Sequence, residues 1–213
     1  VASEIRPLES HKAWREQVHR FLAVMLGLEA LTLALLAARR RTRSATQILG
    51  ACALVAIAIP LYMAGQHVAA SVLAVAGEVI LLLAAWRWSN SDLSRAAVAT
   101  LALVVFQAVL GMWTVTWLLK PIVVMAHLLG GMALFASLSF IAWRSLHMPI
   151  ILAQADVMRR WLLAALALLV AQIALGGWIS ANYAALACGG SSMSVDNFPK
   201  CVGQWWPTQD YAE

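Results

Sequence analysis

Residues 96–117 read AAVATLALVVFQAVLGMWTVTW, residues 121–143 read PIVVMAHLLGGMALFASLSFIAW, and neither stretch contains a charged side chain. Each is close to the roughly 20 residues that a helix needs to cross a hydrocarbon core of about 30 Å. Similar apolar runs recur along the chain. The sequence therefore predicts an all-α fold, a polytopic membrane bundle of about six transmembrane helices. Within a bundle spanning residues 1–182, we predict helices at 13–38, 46–64, 68–87, 96–117, 121–143 and 159–182.

The composition excludes an ordinary water-soluble domain. Of the 213 residues, 62% are apolar and 12% are charged, and the mean hydropathy is +0.79. The pI of about 9.6 alone would suit a nucleic-acid-binding protein. The basic residues are spread over short connections between helices and are not gathered in one patch. We therefore expect the lipid bilayer as a partner, and no nucleic acid.

Arginines predict the topology. Three connections, after the first, third and fifth predicted helices, contain nine arginines against only Asp92 and Asp156. The positive-inside rule places these connections in the cytoplasm. Both chain ends are then on the periplasmic side of a bacterial inner (plasma) membrane, as an even number of helices requires. The nine residues are Arg39, Arg40, Arg41, Arg43, Arg87, Arg95, Arg144, Arg159 and Arg160.

Residues 183–213 are predicted to form a periplasmic loop segment. The segment contains Cys188 and Cys201. An oxidising compartment favours a disulfide between them, and two free thiols or a metal-binding pair are the alternatives. Val1 is not a start methionine, so we expect a processed or incomplete chain.

His19 and His127 are the strongest candidate site residues. Each lies about two turns into a helix that begins on the predicted outer side, roughly 9–10 Å from the helix start. Imidazole is the common axial ligand of heme iron, and an ionisable residue within a membrane is a functional candidate. The pair therefore predicts a heme site near the outer face. Two histidines that form interhelical hydrogen bonds are the alternative.

Small residues lie at helical spacing from both histidines. Ala23 and Gly27 follow His19 by four and eight residues, and Gly130 and Gly131 follow His127 by three and four. They leave room for a flat slot, which favours a macrocycle over a bare metal ion.

Charged residues lie near the predicted heme. Glu16 shares the helix face of His19 and is positioned to accept a proton or stabilise positive charge, or to form a surface ion pair. Arg20 and Lys120 are positioned to pair with heme propionates or to extend to the membrane interface.

Other polar residues have less definite roles. Glu29 and Glu78 lie inside apolar runs, where we expect them to be protonated or hydrogen-bonded. His67 is an alternative heme ligand or a solvated loop histidine. Residues 107–113 and 172–178 form an internal repeat, QAVLGMW against QIALGGW.

Three stretches resemble the heme A synthase family. They are KAWREQVHR at residues 12–20, the run from Gln107 to Gly131, and the run from Gln172 to Pro207 that contains both Cys188 and Cys201. Together they cover about a third of the chain in the family's order. The resemblance implies a membrane oxidoreductase that oxidises a methyl group of heme O to a formyl group, with water as the oxygen source, in cytochrome oxidase cofactor biosynthesis.

The resemblance also implies roles for individual residues. Glu16 matches the catalytic glutamate, His19 and His127 match two axial ligands of the heme iron, and Cys188 and Cys201 match a cysteine pair in an outer loop. Heme O and heme A are the implied substrate and product, and heme B is an alternative occupant. Heme O synthase and an electron acceptor are the implied partners.

The chain also departs from the family pattern. The family has a helix before the Glu-x-x-His segment and a second bundle with two more heme-ligating histidines. The predicted helices 46–64 and 68–87, and residues 189–196, have no assigned counterpart. We therefore expect a partial or divergent member that associates with copies of itself or with a missing C-terminal half. A non-catalytic heme-binding subunit for electron transfer or oxidase assembly is the alternative function.

Overall fold

The computed structural model describes residues 10–39, 41, 43–88, 93–116, 120–147 and 155–181. These residues form six helices: α1 (Ser10–Ala38), α2 (Ser44–Met63), α3 (His67–Arg87), α4 (Ser94–Thr116), α5 (Pro121–Leu146) and α6 (Ala155–Ala181). All six are long and apolar enough to cross a membrane. The predicted all-α membrane fold with about six transmembrane helices is thereby confirmed.

The helix ends differ slightly from the predicted ones. The largest difference is at α6, which begins at Ala155 where the sequence predicted residue 159. Asp156 lies in its first turn, where a carboxylate is stabilised by the helix dipole. The predicted loop segment 183–213 lies outside the described residues, and the orientation of the termini stays a prediction.

The chain forms two compact units. The first consists of α1 to α3, α4 as far as Ala108, and α5 from Leu134 onward. Its core is made largely of small side chains, including Ala30, Ala34 and Ala38 at four-residue intervals along α1. Small residues allow membrane helices to approach closely, so van der Waals packing can hold them together.

The tightest contact in the first unit joins α2 and α3. A Cβ atom added at Gly77 would lie 2.7 Å from the carbonyl oxygen of Ala51 and 2.8 Å from Cγ2 of Val55. No real Cβ atom fits at such distances, so only glycine allows this approach. Between the two helices, Gly65 has φ +79°, a conformation that L side chains rarely adopt.

Polar contacts add to the packing of the first unit. Arg95, in the first turn of α4, donates hydrogen bonds to the carbonyl oxygens of Trp86 and Trp88 at the end of α3. Farther along α4, the hydroxyl groups of Thr100 and Ser137 are hydrogen-bonded at 2.6 Å. Arginine therefore caps α3, and a hydroxyl pair joins α4 to α5 within the apolar layer.

The second unit consists of α4 from Val109, α5 as far as Ala133, and α6. Gly177 of α6 is buried there. A Cβ atom at this glycine would lie 3.0 Å from Cδ2 of Leu128 and 3.8 Å from Cγ of Met125. Much of the rest of α6 is exposed, as expected for a helix that faces lipid or another protein segment.

Candidate functional site

The first turns of α1 present Glu16, His19 and Arg20, all with exposed side chains. The Arg20 guanidinium donates a hydrogen bond to Oε1 of Glu16 at 2.5 Å, and both side chains are more than half exposed. Pairs of this kind, four residues apart on a helix, contribute about 0.3–0.5 kcal/mol. The pair therefore orients the Glu16 carboxylate along the helix more than it stabilises the fold. The predicted contact of Arg20 with a propionate stays a prediction.

The helix face that follows His19 is only partly open. Ala23 is exposed, one turn farther along α1. At Gly27, in contrast, an added Cβ atom would lie 3.8 Å from Cγ1 of Val104 on α4. The small residues predicted to line a flat slot thus have two roles. Ala23 leaves space beside His19, whereas Gly27 allows α1 and α4 to pack.

His127 lies in the second turn of α5 and is partly buried. Its imidazole packs against Gly111 of α4, where an added Cβ atom would lie 3.4 Å from Cε1. One turn beyond His127, no described atom lies within 4 Å of the Cβ position of Gly131. A glycine therefore supports the imidazole, and another leaves open space next to it. This arrangement suits a flat group bound at His127.

Lys120 immediately precedes α5 and has an exposed side chain. Its carbonyl oxygen accepts hydrogen bonds from the backbone N–H groups of Val123 and Val124, so the residue begins the helix. Its predicted contact with a heme propionate is not tested.

The two predicted axial ligands belong to different units, His19 to the first and His127 to the second. Their pairing on one iron stays a prediction that rests on the sequence. The structure brings Glu16 and Arg20 together, and it brings His127 against Gly111. Cys188 and Cys201 lie outside the described residues, so their disulfide also stays a prediction.

Two buried polar atoms belong to residues outside the predicted heme site. Nε2 of Gln107 and Oε2 of Glu78 are inaccessible and have no hydrogen-bond partner among the described residues. The sequence predicts Glu78 to be an intramembrane carboxyl group that is protonated or hydrogen-bonded, whereas Gln107 belongs to the internal repeat. The sequence feature that marks Gln107 is a single amide side chain within an otherwise apolar stretch of α4. Of the other candidates, Glu29 is exposed, and the ring of His67 contacts Tyr62 edge-on at 4.8 Å between centroids.

Comparisons with known proteins place this chain in a family. A family model described as COX15-CtaA, cytochrome oxidase assembly protein, matches residues 63–212. A protein named heme A synthase from Shewanella oneidensis is 46% identical over 105 residues, which are 48% of this chain and 30% of that relative. No solved structure gives a significant match. The chain thus matches about a third of the length of this curated relative.

The matched range separates the candidate residues into two groups. Lys120, His127, Cys188 and Cys201 lie within it, whereas the segment from Glu16 to Arg20 precedes it. The range also includes α3 and residues 189–196, which have no counterpart in the three stretches that resemble the family. Because the match covers well over half of the chain, the protein is a member of the cytochrome oxidase assembly protein family COX15-CtaA.

Proposed function

We propose that this membrane protein takes part in the synthesis of heme A by oxidising a methyl group of heme O to a formyl group. The 46% identity to a heme A synthase is the observation that carries the proposal. The Glu-x-x-His segment at the start of α1 supports it, because it supplies an exposed carboxylate one turn from a candidate ligand.

His19 and His127 are the proposed axial ligands of the substrate iron. Neutral imidazole is a common heme ligand. The glycine contact at His127 supports the assignment, since Gly111 leaves the imidazole in place where a larger side chain would displace it. Arg20 and Lys120, both exposed, are proposed to pair with the propionates.

Glu16 is the proposed catalytic residue. Conversion of a methyl group to a formyl group takes one oxygen atom from water and releases four electrons and four protons. The Glu16 carboxylate is suited to accept protons from the attacking water, and its ion pair with Arg20 orients it. The four electrons require an acceptor, which we propose is a separate partner, and heme O synthase supplies the substrate.

Under this proposal the reaction takes place at the periplasmic side of the membrane. The positive-inside distribution of arginine assigns the Glu16 end of α1 to the periplasmic side of a bacterial inner membrane. A disulfide between Cys188 and Cys201 would then form in an oxidising compartment, on the same side as the substrate.

Pigment extraction tests the proposal. The protein is expressed beside a source of heme O, and the bound hemes are identified by chromatography and mass spectrometry. We expect heme O together with hydroxylated heme or heme A. Glu16→Gln should lower conversion at least about 100-fold while heme O still binds, because only the proton acceptor is removed. Glu29→Gln is the matched control on the same helix and should convert heme O normally.

A non-catalytic heme-binding subunit is the second candidate function. The observation that favours it is the partial match, since the aligned residues are only 30% of the heme A synthase. Heme B as the only extracted pigment, with no conversion even when a C-terminal bundle of the family is co-expressed, would establish this alternative.

A further inference from the structure

A buried amide group lies on α4 in the first unit. The Gln107 side chain is only 7% exposed, and its Nε2 atom has no hydrogen-bond partner among the described residues. A buried donor without an acceptor destabilises the folded state more than an ordinary hydrogen bond stabilises it. An amide retained in such a position is therefore a candidate to bind an acceptor that a ligand supplies.

The depth of Gln107 can be compared with that of His19, which lies in the same unit. Membrane-spanning helices with short connections alternate in direction, so α1 and α4 run antiparallel. The approach of Gly27 to Val104, where an added Cβ atom would lie 3.8 Å from Cγ1, is the reference level for both helices. From this contact, Gln107 lies three residues along α4, about 4.5 Å, and His19 lies eight residues back along α1, about 12 Å. Gln107 is therefore about 7.5 Å farther than His19 from the end where α1 begins.

That separation matches the radius of a porphyrin with its first substituent atoms. Heme O carries two propionates on one edge and a hydroxyethylfarnesyl side chain on the opposite edge. If the propionates face the polar end of α1 near Arg20, the hydroxyl group of the opposite edge lies at the level of Gln107. A hydroxyl group in an apolar environment needs a hydrogen-bond partner.

We propose that Gln107 recognises the hydroxyl group of the hydroxyethylfarnesyl side chain and thereby distinguishes heme O from heme B. The Nε2 group donates a hydrogen bond to the hydroxyl oxygen, and Oε1 is available to accept one from the hydroxyl hydrogen. Heme B has a vinyl group at that position and leaves the amide unpaired. A site that hydrogen-bonds a substrate hydroxyl discriminates strongly against an analogue without it. This inference rests on the proposed function, because it assumes heme O as the substrate.

Heme-binding titrations test this role without measuring turnover. The full chain in lipid nanodiscs is titrated with heme O and with heme B, and the two dissociation constants are obtained from the absorbance change. We expect the wild type to bind heme O more tightly than heme B, with about tenfold of the ratio due to one satisfied hydrogen bond and the rest due to the farnesyl chain. Gln107→Met should lower this ratio about tenfold by weakening heme O binding alone. Gln172→Met removes the exposed amide of the repeat and should leave the ratio unchanged.

The outcomes separate this inference from the proposed function. If Gln107→Met weakens the binding of heme O and heme B equally, the ratio of the two dissociation constants is unchanged. That result would indicate a purely structural role and overturn the inference. A wild type that binds no heme O would refute the proposed function itself. Gln107→Asn, which withdraws the amide by one methylene, gives a second and milder variant that should also lose discrimination.

Discussion

The two copies of the repeat have unlike surroundings. In α4, Leu110 is 4% exposed, and Gly111 lies against the imidazole of His127. In α6, the corresponding Leu175 is 62% exposed, and no described atom lies within 4 Å of the Cβ position of Gly176. The sequence determines which residues share a helix face, whereas packing determines whether that face is covered. The α6 copy therefore provides a matched control for each substitution in the α4 copy.

Substitution of the glycine should give the largest difference between the copies. Gly111→Leu places a branched side chain where the imidazole of His127 packs, and such overpacking costs about 3 kcal/mol. We expect heme binding, measured by absorbance titration, to weaken roughly 100-fold. Gly111→Ala should be much milder, because its Cβ atom makes an ordinary contact at 3.4 Å.

Gly176→Leu is the matched change in α6 and should leave heme binding within about twofold of the wild type. Equal losses from Gly111→Leu and Gly176→Leu would show that the contact with His127 does not distinguish the two copies.

Truncation of the buried leucine should have a smaller effect. Leu110→Ala removes packed atoms, and we expect the free energy of unfolding to fall by about 1–2 kcal/mol. This is less than in a water-soluble core, because the lipid-embedded reference state does not expose the side chain to water. Leu175→Ala should change stability by less than about 0.5 kcal/mol. Unfolding in mixed micelles measures both, and a larger loss for Leu175→Ala would contradict the burial difference.

The hydroxyl pair should give the smallest effect. Thr100 is hydrogen-bonded to Ser137, whereas the equivalent position in α6 is Ala165, which has no hydroxyl group. Thr100→Val should lower the free energy of unfolding by about 0.6 kcal/mol, typical of a hydrogen bond between membrane helices. A double-mutant cycle with Ser137→Ala measures the coupling directly. Coupling near zero would indicate that this bond does not contribute to the packing of α4.

Much of the fold follows from the sequence because each membrane span is a local property. A run of about 20 apolar residues predicts a helix irrespective of what packs beside it. The ends are less certain, since the first turns of α1 and α6 contain polar residues that lower the local hydropathy.

The candidate site was less predictable because it depends on contacts between helices. Spacing identified His127 and the small residues near it, but not Gly111, which lies 16 positions earlier in the chain. Spacing also could not show that Gly27 packs against Val104 while Ala23 stays exposed. Gln107 and Gln172 look equivalent in sequence, and only tertiary packing distinguishes the buried amide from the exposed one.

The close approach at Gly77 restricts how the α2–α3 hairpin can move. A screw displacement of α3 by one residue, about 1.5 Å along its axis with a rotation of about 100°, would bring Ala76 or Glu78 towards the Ala51 carbonyl oxygen, where even a Cβ atom does not fit. The close approach therefore disfavours this displacement. We expect α2 and α3 to tilt together as one rigid element, without moving relative to each other along their axes.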